Sequence, residues 1–133
     1  MAAPKVLDSF ALVAFFEDEP GAEEVERQLL KAEEAGQRLL TTVVNLGEVW
    51  YSIARTASEK MADEKIREIQ GMAIEIVDAD WALTRQAAAF KTKGKVAYAD
   101  CFAAALAKQR KIEVITGDPE FKQLAGEVKI HWL

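Results

Sequence analysis

Apolar residues recur along this chain in two rhythms, short β-branched runs and longer stretches at helical spacing, and the two alternate. Lys5 to Asp8 (KVLD) predicts a first strand, and FALVAFF after it a helical turn or two before the break at Glu17 to Gly21. Ala22, Val25, Leu29 and Ala32 then mark a helix from Gly21 to about Ala35, ended by Gly36. LLTTVV, Leu39 to Val44, has the β-branched content of a buried strand. From Asn45 a second amphipathic helix carries Trp50, Ile53, Ala54 and Ala57 on one stripe, and a third spans Ser58 to about Gln70 before Gly71. IEIVD, Ile74 to Asp78, predicts a third strand, with Asp80 placed to cap the helix through Leu83, Ala87 and Phe90. A basic loop, Lys91 to Lys95, leads into VAYADCFAAALA, Val96 to Ala107, whose apolar character on every side predicts a helix buried in the interior. IEVIT, Ile112 to Thr116, and VKIHWL at the end predict a fourth strand and a fifth at the edge. Alternating strands and helices imply an α/β fold, a central parallel sheet of four to five strands sandwiched by helices.

A length of 133 residues suits one domain, 1–133, with a sizeable core. Apolar runs stop well short of the roughly 18 residues a spanning helix needs, so no membrane role is expected. The start resembles a secretory leader with Lys5 as its positive end, but Asp8 inside the apolar run and EDEP after it argue against one. Cys101 is the single cysteine, so no internal disulfide or multi-cysteine zinc site forms; it reads as a packing residue in a cytoplasmic protein. The formal charge is −5, and residues 1–36 alone hold nine acids against three bases. Such a chain is a poor electrostatic binder of duplex nucleic acid, so any contact with nucleic acid is local or metal-mediated.

The candidate chemistry is acidic. Burying an unpaired carboxylate costs several kcal/mol, so Asp100, alone in the most apolar helix, asks for a proton, a cation or a metal unless it serves only its helix end. In open α/β sheets the functional crevice lies beyond the carboxyl ends of the strands. Asp8 ends the first strand, Asp118 follows the fourth through Gly117, and Glu48 and Asp100 fall in first helical turns, so four acids from separate segments meet at one edge. Unneutralised they repel one another, and a divalent metal answers that repulsion. Three have ordinary structural readings: Asp100 as a first-turn acid, Asn45 with Glu48 as a capping box, and Asp118 before Pro119 as the cap of a short helix. Asp8, after Val6 and Leu7 and before Phe10, sits where a buried strand is expected to continue.

The blocks V-L-D-S (Val6–Ser9), V-N-L-G-E-V (Val44–Val49), Y-A-D-C-F-A-A-A-L-A (Tyr98–Ala107) and V-I-T-G-D-P-E-F (Val114–Phe121) resemble, in order and at the usual spacing, the motifs of PIN domains. The likeness is nearest to VapC-type ribonuclease toxins of prokaryotic toxin-antitoxin pairs. It implies that Asp8, Glu48, Asp100 and Asp118 are the catalytic, metal-binding quartet, with Ser9 and Thr116 as auxiliary hydroxyls. Phe10 departs from the pattern, since many relatives carry a second small hydroxyl there. The resemblance implies an endoribonuclease holding one or two Mg²⁺ or Mn²⁺ ions, ions suited to oxygen ligands, and leaving a 5′-phosphate and a 3′-hydroxyl by metal-activated water. It also implies a homodimer held inactive by a cognate antitoxin.

Other residues carry two readings each. Arg55, on the helix face of Glu48 and Ser52, meets an RNA phosphate or pairs with a surface acid. Lys91, Lys93 and Lys95 either hold a single strand or are solvated surface. Trp50 and Tyr51 read as core or interface, and His131 as structural. A receiver-like signalling domain would need an acidic pair near the first strand and a Lys after the fifth, which this sequence lacks. A catalytically inactive PIN-like module binding RNA or protein is the alternative, against which the complete quartet argues.

Overall fold

The computed structural model describes residues 3–133; the first two residues of the expected 1–133 unit, and with them the start of the leader-like segment, lie outside the described residues. In chain order the elements are β1 (Val6–Leu7), α1 (Ser9–Phe16), α2 (Ala22–Glu34), β2 (Leu39–Thr42), α3 (Val43–Thr56), α4 (Glu59–Gln70), β3 (Ile74–Val77), α5 (Trp81–Lys91), α6 (Tyr98–Arg110), β4 (Val114–Thr116), a 3₁₀ turn (Pro119–Leu124) and β5 (Ile130–Trp132). The strands form one five-stranded sheet in the order β3-β2-β1-β4-β5, with every neighbouring pair parallel. Val6 is in register with Leu40 on one side and Val114 on the other, so the shortest strand holds the centre.

Alternation along the strands splits the interior into two cores. Val6, Leu40 and Val114 face α5, α6 and the 3₁₀ turn, joining Leu83, Phe90 and Phe121. Leu7, Leu39 and Ile115 face the other way, against Leu12, Val25 and Val49 of α1 to α3. Helix α6 is buried from Ala99 through Ala107, as its all-apolar sequence predicts. Alanines on that helix let it lie close to the sheet and to α5. Each large side chain taken fully out of water, such as Phe90, Phe121 or Leu106, contributes about 2 kcal/mol.

Several boundaries shift by one to three residues from the sequence reading, and two of them shape the site. The second strand stops at Thr42, because the Thr42 hydroxyl accepts the Asn45 N–H at 3.0 Å and opens α3 two residues before Asn45. Val43 and Val44 are therefore helical despite their β-branched side chains, the cap outweighing a modest propensity. The first strand stops at Leu7, and the reason lies in Asp8. Asp80 caps α5 as expected, and Ser58 caps α4. No described helix is long and apolar enough to cross a membrane.

Candidate active site

The chain runs from β1 outward to β2 and β3, then returns across the sheet to place β4 on the other side of β1. The carboxyl ends of β1 and β4 are thus the point where strand order reverses, where a parallel sheet leaves an open crevice. Asp8 leaves β1 there and Thr116 and Asp118 leave β4.

Asp8 is fully buried and has two partners. One carboxyl oxygen accepts the Ala11 N–H at 2.8 Å, capping α1, and the other accepts the Thr116 hydroxyl at 2.5 Å. The residue that interrupts the first strand is therefore a helix cap, so the strand does not continue through it as expected. Burial pushes its carboxyl from 3.8 up to about 7, with the Thr116 and Ala11 hydrogen bonds opposing the rise and the charges of Asp118 and Glu48 adding to it. Thr116 also accepts the Asp118 N–H at 3.0 Å, so one hydroxyl fixes both acids of the strand ends.

Asp100 lies in the first turn of α6 without capping it; Ala97 is the N-cap and contributes no side-chain bond. Only 4% of Asp100 is exposed, and its Oδ2 is a buried oxygen with no hydrogen-bond partner. Burial raises its carboxyl well above the ordinary range, and contact with Asp118 and the charge of Asp8 raise it further. Asp118 caps the 3₁₀ turn by accepting the Glu120 N–H at 2.9 Å, with Pro119 at the first position, as one of its sequence readings has it. Carboxylate oxygens of Asp100, Asp118 and Glu120 lie within 4.8 Å of one another.

Glu48 sits in the second turn of α3, so neither its first-turn placement nor its capping box with Asn45 stands. It is half-buried, and its Oε2 accepts the Tyr51 hydroxyl at 3.1 Å. Glu48, Asp100 and Asp118 line one cleft of about 250 Å³, together with Ser9, Phe10 and Tyr51. Asn45 is fully buried behind it. Its Nδ2 donates to the Ser9 hydroxyl at 3.0 Å and to the Ala99 carbonyl at 3.1 Å, tying α1, α3 and the start of α6 together. Ser9 in turn donates to the Asn45 carbonyl at 3.3 Å.

The remaining candidates stand further off. Arg55 holds its guanidinium over the Tyr51 ring at 5.2 Å from the centroid. Lys91 donates to the Val96 carbonyl at 2.7 Å and Lys93 pairs with Glu127 at 2.6 Å, so both are spent on local structure, while Lys95 is exposed. Trp50 donates to Asp63 at 2.9 Å between α3 and α4, whereas Tyr51 is 45% exposed and lines the cleft, so of its two readings, core or interface, the first does not stand. His131 binds Glu24 at 2.8 Å, joining β5 to α2 in a structural role. Cys101 is buried, with its thiol pushed up to about 11 by burial.

Glu120, which the sequence reading leaves out, joins Asp100 and Asp118 at the site, whereas Asn45 and Tyr51 are read there only as a cap and as core or interface. Glu120 has a signal in retrospect, an acid two residues beyond Asp118 with Pro119 between, where a 3₁₀ turn folds it back. The donor set suits a hard divalent cation. It consists of carboxylate oxygens, one of them buried without a partner, in a place where neighbouring acids hold one another's protons on.

Comparison with known proteins agrees with this geometry. No curated protein matches the chain. Among solved structures, VapBC2 from Rickettsia felis, bound to a DNA fragment from its promoter, aligns at a TM-score of 0.74 and 12% identity, covering 98% of this chain and 99% of that one. VapC20 of Mycobacterium tuberculosis, a sarcin-ricin loop cleaving toxin, gives 0.70 at 16% identity, covering 95% and 98%. VapBC-5 from the same organism gives 0.63 at 23%, covering 99% and 98%. At such identities these likenesses speak to the fold alone. The sequence itself decides the family: the PIN domain model matches residues 5–127, nearly the whole length, and the chain belongs to the PIN domain family.

Proposed function

We propose that this chain is a Mg²⁺- or Mn²⁺-dependent endoribonuclease and the toxin of a VapBC-type toxin-antitoxin pair, folding as a single domain. The observation that carries the reading is the buried, unpartnered Oδ2 of Asp100 beside Asp118 and Glu120 at the strand-order reversal of a PIN-family chain. Asp100, Asp118 and Glu120 would hold the cation, with Asp8 and Glu48 adding charge. When bound, a divalent cation supplies the Lewis-acid charge that activates water and offsets the charge growing on the phosphate oxygens.

The chain's own groups do the rest. Thr116 and the first turn of α1 lock Asp8 in one orientation, so its charge is preorganised and not mobile. Asn45 sets α6 against α1 and α3, which fixes the distance from Asp100 to the acids on β1 and β4. Glu48, steadied by the Tyr51 hydroxyl, presents a carboxylate at the open side of the cleft, where it orients the attacking water. No histidine is needed as base, and His131 is committed to Glu24. Solved relatives bear the name VapBC, which supports an antitoxin partner encoded beside this chain; homodimerisation and a cytoplasmic location belong to the same reading.

The deciding experiment is cleavage of RNA by the purified chain with and without Mn²⁺, compared with Asp100→Asn. We expect metal-dependent cleavage and a loss of at least about a hundredfold in the variant, the size found when transition-state electrostatics are removed. Equal rates in both proteins, or none in either, would defeat the reading; the second result would favour a binding module that does not cut.

A further inference from the structure

The cleft that holds the acids offers an RNA strand almost nothing by charge. Among the described residues no lysine or arginine lines it, and Glu48, Asp100 and Asp118 repel phosphate. Yet two aromatic rings open into the same cleft, Phe10 from α1, 41% exposed, and Tyr51 from α3, 45% exposed. Both are held in place. The Phe10 ring lies on Gly117, where a Cβ would come within 2.3 Å of it, so the glycine beside Asp118 makes room for this ring. Tyr51 is fixed at its hydroxyl by Glu48 and across its ring by Arg55. What sets these two rings apart from other exposed apolar side chains is that both are immobilised in one cleft beside the acids, where they form an apolar surface that a flat ring can cover.

The geometry points to Phe10 and Tyr51 as an apolar shelf on which an unpaired nucleobase of the substrate stacks beside the phosphate to be cut. The identity of the ligand rests on the ribonuclease reading above. Stacking suits this place because every base has a π-face and the interaction does not depend on positive charge. A base inside a duplex has its faces occupied and is refused.

The test uses the full chain and a short oligoribonucleotide carrying 2-aminopurine at an unpaired position, in chelator and high salt. Salt screens the acids' repulsion, and without a cation nothing depends on cleavage. The fluorescence is expected to fall on binding, and a duplex of the same sequence to bind about tenfold more weakly. Phe10→Leu and Tyr51→Leu, which keep apolar bulk for folding, are each expected to weaken binding about tenfold and abolish the quench. Tyr51→Phe, which keeps the ring, retains both. Leucine variants that quench and bind like the parent overturn the shelf, as does an unpaired strand that does not bind. Quenching without any metal-dependent cleavage in a parallel assay would keep the shelf and remove the nuclease, and cleavage without quenching would do the reverse.

Discussion

At Asp100 the protein keeps a side chain that is bad for its stability. Its neighbours in α6 are alanine, cysteine and phenylalanine, and its Oδ2 finds no donor although polar atoms in interiors are nearly always paired. Replacing the acid with a neutral amide relieves both the desolvation and the repulsion from Asp8 and Asp118. Asp100→Asn is therefore expected to unfold at a higher urea concentration than the parent when both are measured in chelator near neutral pH, while losing Mn²⁺ binding. A variant that is both destabilised and still able to bind Mn²⁺ would show that Asp100 serves the fold. Glu120 presents the converse case, since it is half-buried and its removal leaves the interior intact. Losing one of three clustered carboxylates is expected to weaken Mn²⁺ binding about tenfold in Glu120→Gln, a size typical of a lost metal-site interaction, with unchanged unfolding in chelator. Isothermal titration of the chelated proteins with Mn²⁺ reads both effects.

Apolar faces pack the elements around this cleft, but polar side chains at their ends set where they begin, and that is why part of the design is legible in the sequence and part is not. The alternation of strands and helices follows from apolar spacing, and the buried run of α6 could be read directly from Val96 to Ala107. Ends are another matter, because a cap is a contact of one side chain with one backbone group. Val43 and Val44 extend a β-branched run, so nothing in their own chemistry shows that the Thr42 hydroxyl has already started α3. Asp8 looked unaccountable as a strand residue because its capping of α1 was hidden, and Glu120 escaped notice because its approach to Asp100 depends on a 3₁₀ turn. Asn45 reads as a cap by type but works as a buried bolt between three helices. Asn45→Ala leaves the Ser9 hydroxyl and the Ala99 carbonyl short of their partner inside the protein, which is expected to cost about 2 kcal/mol in urea unfolding. Asp8 separates cap from charge in the same assay: Asp8→Asn keeps a good capping side chain and holds its midpoint better than Asp8→Ala, whose midpoint falls.

For the molecule as a whole, the gathered acids couple folding to pH and to metal. Burial raises the Asp8 carboxyl from 3.8 to about 7, and Asp100 is shifted in the same direction. Both groups hold their protons more tightly folded than unfolded. Their contribution is fully present below about pH 4, where both states are protonated, and is lost as pH rises through the folded values, because the unfolded chain then binds fewer protons. In chelator the protein is therefore expected to lose stability steadily from about pH 4 to about pH 8, opposite to the behaviour of carboxylates held in ion pairs such as Glu127, whose carboxyl is drawn down to about 2 by Lys93 and Lys108. A divalent cation reverses the sign at the cleft, since it competes with the same protons and binds the ionised acids of the folded state only. At a free Mn²⁺ concentration a hundred times the dissociation constant, the gain is about 2.7 kcal/mol. At fixed Mn²⁺ the rise in unfolding midpoint is thus expected to be larger at about pH 8 than at about pH 5.5, where Asp8 and Asp100 keep their protons. Thermal unfolding at the two pH values, with Mn²⁺ and with chelator, measures it. An equal rise at both would mean that the cation binds somewhere other than among these acids, and Asp100→Asn, with its site removed, is expected to show no rise at either.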